Sequence, residues 1–332
     1  MRNNHDIMTL LQIGLIDMRI ALNIFLLILG FALLIQSAKV FVTASVAIAR
    51  RLKIPTMVIG LTVVAMGTSA PEVVISVSAA IGGSGDLAIA NVVGSNIFNL
   101  LFIVGFCAMI YPISVKMKAI SRDYWASVAA TIILLVMVIA FGDAIPRLGG
   151  LALLLGFAAY MIIVVRGALK SKTEDDSTEV TSRRPLWQNI VLAILGIAII
   201  VGAGQLTVLS AVNIATTMGI TERVIGLTIV AMGTSLPELI TTLIACRKKE
   251  GEFALGFIIG SSIFNIMFVL GLSGLITPLA IDPGVIFDMA VLAAGTLTFF
   301  LFAKSSEKVV RIEGLAMVLT YLGYMTWVVI QA

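Results

Sequence analysis

Apolar runs of about 18 or more residues recur in this chain from Ala21 to its end, and each is long enough to cross a hydrocarbon core of about 30 Å as a helix. They use up most of the chain, so lipid rather than water is its main solvent. Composition agrees: 60% of the 332 residues are hydrophobic and 12% charged, against roughly half apolar and a quarter charged in soluble domains. A net charge of +4 could suggest a nucleic-acid partner. The Lys and Arg residues, however, sit in short clusters between apolar runs, where they act as topology signals. No nucleic-acid binding is expected, and the bilayer is the expected environment.

The runs resolve into ten spans, at 20–47, 55–81, 87–110, 124–141, 148–168, 188–217, 222–245, 253–276, 284–303 and 312–330. Between the fifth and sixth, Lys170 to Pro185 (KSKTEDDSTEVTSRRP) is the only sustained polar stretch and reads as an exposed linker. The chain accordingly divides into an N-terminal segment 1–19, a first five-helix repeat 20–168, a linker 169–187 and a second five-helix repeat 188–332. Loops after odd-numbered spans carry Arg50, Arg51 and Lys53; Lys116, Lys118 and Arg122; Arg166, Lys170, Lys172, Arg183 and Arg184; Arg247, Lys248 and Lys249; and Lys304, Lys308 and Arg311. These are 17 of the 22 basic residues, which makes those loops cytoplasmic and predicts both termini outside. Lys39 within span one and Asp288 at the start of span nine are assigned to no site. Neither a cleavable signal nor a disulfide framework is expected, and the lone His5 receives no role.

The chain repeats itself at a fixed offset. Gly60 to Ala79 reads GLTVVAMGTSAPEVVISVSA and Gly226 to Ala245 reads GLTIVAMGTSLPELITTLIA, identical at 12 of 20 positions with an offset of 166. The same offset aligns GSNIFNLLFIVG at 94–105 with GSSIFNIMFVLG at 260–271, and Asn99 with Asn265. Five spans separate equivalent positions. An odd number means that the second copy enters the membrane from the opposite side, so the repeats are predicted to be inverted. Charge agrees, because GGSGD at 82–86 has no basic residue while the equivalent loop carries Arg247, Lys248 and Lys249. Such an architecture favours a carrier over a channel.

Glu72 and Glu238 lie well inside their spans, with no Lys or Arg in the neighbouring turns. A carboxylate there costs several kcal/mol unless a cation or proton compensates it. Pro71 and Pro237 lack an N–H and disturb the preceding turn, which turns the carbonyls of Ala65 to Gly67 and Ala231 to Gly233 toward other partners. Thr68, Ser69, Thr234 and Ser235 place hydroxyls about one turn from each carboxylate, and Ser95 with Asn99, like Ser261 with Asn265, share a helix face. Single Thr, Ser and Gly residues in such spans commonly serve helix packing, but a whole cluster duplicated at one offset points to an ion site. Carboxylate, hydroxyl, amide and carbonyl oxygens without sulfur or imidazole suit hard cations such as calcium and sodium.

At these residues the sequence resembles the calcium/cation antiporter superfamily, in its prokaryotic calcium/sodium antiporter branch. The two GTSxPE segments and their downstream GS[NS]IFN segments are similar to that family's alpha repeats. The resemblance implies an all-α membrane protein of ten transmembrane helices in two inverted five-helix repeats. Spans two, three, seven and eight would surround the ions, with spans one and six sliding across them. It implies Glu72 and Glu238 as ligands shared by calcium and sodium, carbonyls from Ala65 and Ala231, and further ligands in Thr68, Ser69, Ser95, Thr234, Ser235 and Ser261. Calcium itself is expected on Glu72, Glu238, Thr68, Thr234, Ala65 and Ala231. Some relatives carry aspartate at the position of Asn265.

The expected function is therefore exchange of calcium for sodium by alternating access, in a multi-pass protein of a prokaryotic inner membrane. It needs no cofactor and no obligate protein partner. A calcium/proton antiporter using the same glutamates is the nearest alternative, and a passive cation channel a more distant one. An intramembrane enzyme is disfavoured, because there is no HExxH pair and only one histidine.

Overall fold

The computed structural model describes residues 2–115, 117–170, 184–219, 231–282 and 284–331. Its helices are α1 (Arg2–Arg51), α2 (Thr56–Thr68), α3 (Ala70–Ile81), α4 (Gly85–Ile110), α5 (Met117–Phe141), α6 (Arg147–Lys170), α7 (Leu186–Thr217), α8 (Leu236–Arg247), α9 (Gly251–Ile276), α10 (Val285–Ser306) and α11 (Arg311–Gln331). Among the described residues eight helices are long and apolar enough to cross a membrane, and α2 with α3 makes a ninth span bent by 49°. The expected seventh span begins in 220–230, outside the described residues. Its described part is a short turn, Ala231–Gly233, followed by α8. Much of the expected linker, 171–183, also lies outside them, as do Lys116 and Arg223. Helix α1 runs without a break through the boundary expected at residue 19.

Burial separates an inner layer from an outer one. The apolar stretch of α9 is 94% buried and that of α4 72%, whereas those of α1, α5, α6, α7, α10 and α11 lie between 11% and 33%. A helix that is apolar all round and buried belongs to a core, and one apolar but exposed faces lipid. Backbones meet closely where α2 crosses α9: a Cβ on Gly60 would stand 2.6 Å from the Phe253 carbonyl oxygen, and one on Gly260 2.5 Å from that of Leu61. Outside this core α1 and α7 run antiparallel, Gly30 against Thr207 and Phe41 against Gly196, with Asn213 donating to Asn23 at 3.1 Å.

Purely helical structure was the expectation, but four two-residue strands interrupt it. β1 (Ile113–Ser114) pairs antiparallel with β4 (Lys308–Val309), and β2 (Ala144–Ile145) with β3 (Leu279–Ala280). They bond backbone groups of the connecting loops, which helical periodicity does not reveal. Because β1 and β2 flank the 25-residue α5, the two pairs lie at opposite ends of that helix.

Candidate cation site

Each Pro-Glu pair opens a half-helix. Ser69 (φ −80°, ψ 14°) ends the helical path before α3, and Ser235 (φ −93°, ψ 11°) precedes α8 in nearly the same conformation. Pro71 and Pro237 stand within the first two positions, where a missing N–H costs little. Glu72 and Glu238 fall in the first turn, where the partial positive charge of a helix N-terminus favours a carboxylate.

The two halves then interlock crosswise. Ser69 donates its hydroxyl to Glu238 Oε1 at 3.2 Å, and Ser235 donates to Glu72 Oε1 at 3.2 Å. Thr68 also faces Glu238, as Thr234 faces Glu72. Ser69 further reaches Ser261 at 3.4 Å. Helix α8 packs on the part of α4 that carries Asn99, and α3 on the part of α9 that carries Asn265. Both asparagines sit at the start of π-helical stretches, Phe98–Ile103 and Phe264–Val269, a widened turn frequent at functional sites.

What the protein leaves unpaired defines the chemistry. Glu72 Oε2, Glu238 Oε2, Asn99 Oδ1 and Asn265 Oδ1 are buried and have no hydrogen-bond partner, on side chains no more than 1% exposed. An unpaired buried acceptor costs about 1–3 kcal/mol, more when charged, and amide oxygens and ionised carboxylates can only accept. The two carboxylates also repel each other across the site. A cation would answer both penalties. Among the described residues no group of three or more His, Cys, Asp or Glu exists to hold a metal, so neutral oxygens must complete any shell around the two glutamates.

The remaining expected residues are close by. Thr68, Ser69, Ser95, Ser235 and Ser261 are buried, and Thr234 is the most exposed of the hydroxyl set at 8%. The Ala65 carbonyl accepts the Ser69 N–H at 3.1 Å and lies 3.5 Å from the Thr68 hydroxyl, so the proline does not free it outright. Pro71, by contrast, has no N–H to offer Gly67. Ala231 opens the turn Ala231–Gly233, which packs on the Gly85–Ile97 part of α4 that carries Ser95.

Sequence reasoning missed Asn96. It is fully buried, donates to the Ser262 carbonyl at 3.2 Å, and accepts from Asn265 Nδ2 at 3.4 Å, which turns the Asn265 carbonyl oxygen away from that contact. Its equivalent in the other half is Ser262, so duplication could not flag it. Thr241 and Thr242, also missed, carry buried unpartnered hydroxyls one turn beyond Glu238. A cavity of about 210 Å³ lies beside the site, between α7 and the two broken segments, lined by Pro71, Gln205, Gly233, Thr234 and Pro237 among others. Thr234 is thus the ligand candidate nearest an opening.

Such a fold defines a multi-pass membrane protein, and its candidate cation site draws on both halves of the chain. The family model described as sodium/calcium exchanger protein matches residues 22–166 and again 188–330. The putative antiporter CaxA of Alkalimonas amylolytica is 39% identical over 91% of this chain and 97% of its own length. The sodium/calcium exchanger MaX1 of Methanosarcina acetivorans is 31% identical over 92% of this chain and 98% of its own. A structure of the sodium-calcium exchanger NCX_Mj soaked with Na⁺ and Sr²⁺ matches with a TM-score of 0.81 at 32% identity, covering 92% of this chain and 99% of that one. The chain belongs to the sodium/calcium exchanger family, a family of cation antiporters rather than enzymes.

Proposed function

We propose that this protein exchanges calcium for sodium across the membrane by alternating access, with the ions held between Glu72 and Glu238. The observation that carries the reading is the set of four unpartnered, buried oxygens on Glu72, Glu238, Asn99 and Asn265. Thr68, Ser69, Ser95, Thr234, Ser235 and Ser261, with carbonyls of Ala65 and Ala231, complete the ligand set. Relatives named for sodium/calcium exchange over nearly their whole length support the ion pair.

Ten spans in two inverted repeats fit this function. β1 and its repeat equivalent β3 belong to the pairs at opposite ends of α5, and the equivalent helices α1 and α7 run antiparallel; both features support inversion. Inverted copies bring equivalent broken helices face to face near the bilayer midplane, which is how secondary transporters form a site open alternately to each side. The basic loops favour both termini outside, and a relative named an inner membrane protein in Escherichia coli supports a prokaryotic inner membrane.

The test is calcium uptake into sodium-loaded liposomes diluted into sodium-free buffer, for the wild type, Glu72→Gln and Glu238→Gln. Uptake that needs the sodium gradient and is lost in both variants is the expected result. Uptake indifferent to sodium but driven by a pH gradient would replace the reading with calcium/proton antiport. Conductance far above carrier turnover would replace it with a channel.

A further inference from the structure

Away from the ion site, Lys39, Ile244, Arg247 and Lys248 line an open cavity of about 270 Å³ between α1 and the end of α8. The Lys248 ammonium donates to Thr43 Oγ1 at 2.6 Å, and Thr43 lies one helical turn from Lys39 on the same face of α1. Lys39 and Lys248, from different helices, therefore line one cavity together with Arg247, with the Lys39 ammonium 3.5 Å from Gln36 Oε1. Among the described residues no carboxylate lines it. Glu250, close in sequence, pairs with Arg50 at 2.8 Å and is drawn to Lys248 as well. Three basic side chains facing one cavity, with Glu250 as the shared carboxylate nearby, leave an excess of positive charge there, which favours an anion.

We propose that this cavity binds the phosphate of an anionic phospholipid. Lys39 sits in a membrane-spanning helix whose face toward lipid includes Ile35, 38% exposed one turn before it, and Val40, 41% exposed beside it. An acyl chain can lie along those side chains while the headgroup meets the three cations. Long basic side chains reach the interface in this way, and clustered basic residues beside a span attract anionic headgroups. The bound phosphate joins α1 to α8.

Thermal unfolding of the purified full chain in neutral detergent, with added lipid, tests this. Phosphatidylglycerol is expected to raise the midpoint by a few degrees, as a ligand that binds only the folded state does, while phosphatidylcholine and inorganic phosphate do not. Lys39→Gln/Lys248→Gln loses that rise. Arg51→Gln/Lys249→Gln, which removes as much charge from the same end of the bundle, keeps it. An equal rise in the first pair of substitutions and the wild type, or with phosphatidylcholine, overturns the site; an equal rise with inorganic phosphate alone overturns the lipid as its occupant. Should the double variant not fold, Lys248→Glu supplies the counter-charge internally. It is expected to be stable and indifferent to phosphatidylglycerol, and a retained response overturns the proposal.

Discussion

Ser69 and Ser235 each hold the carboxylate of the opposite half, so neither half can present an ordered glutamate alone. A hydrogen bond to a charged group contributes about 1.5–3 kcal/mol. Ser69→Ala and Ser235→Ala are accordingly expected to raise the half-saturating calcium concentration roughly 10- to 100-fold, at about 1.4 kcal/mol per tenfold. In a double-mutant cycle read by thermal unfolding, Ser69→Ala should couple to Glu238→Gln and not to Glu72→Gln, since only the first pair is in contact. Asn96 acts at one remove, by fixing which end of the Asn265 amide faces inward. Asn96→Leu should weaken ion binding about fivefold, for a neutral hydrogen bond of about 1 kcal/mol. Protein yield and helicity should be retained.

Helices place these side chains only because α2 and α9 approach closely. Gly260→Ala would drive a Cβ to 2.5 Å from the Leu61 carbonyl oxygen, a backbone atom that cannot swing aside. Overpacking of this kind costs roughly 1–3 kcal/mol, and a lower thermal midpoint is expected. The turn between α8 and α9 behaves differently. Burial raises the Glu250 carboxyl above its ordinary value and outweighs the opposing pull of Arg50. The folded state therefore holds this proton more tightly than the unfolded chain, and stability from this group falls as pH rises from the ordinary carboxylate value through the raised one. Glu250→Gln should flatten that part of the pH dependence without lowering the midpoint at neutral pH. A partly exposed ion pair adds little in any case.

At the scale of the whole molecule, charge governs movement. Two ionised glutamates give the empty site a charge of −2, which one calcium or two sodium ions neutralise. Carrying the uncompensated pair through an apolar barrier is expensive, so under the proposed function occupied carriers are expected to switch and empty ones not to. Calcium release from loaded liposomes into ion-free buffer is expected to be far slower than release into sodium or calcium. Equal rates would remove obligatory exchange from the mechanism.

Apolar period and a fixed offset made the membrane class, most spans and the duplicated Glu72 and Glu238 segments legible in the amino-acid sequence alone. Those signals are local or repeat themselves, and both forms survive in one dimension. The crosswise bonds of Ser69 and Ser235, the unduplicated Asn96, the strand pairs between loops and the cavity shared by Lys39 and Lys248 join residues far apart in the chain. No periodicity encodes such contacts. Only the packed structure decided them, because which polar atoms remain unpaired depends on what every neighbouring helix brings to the same place.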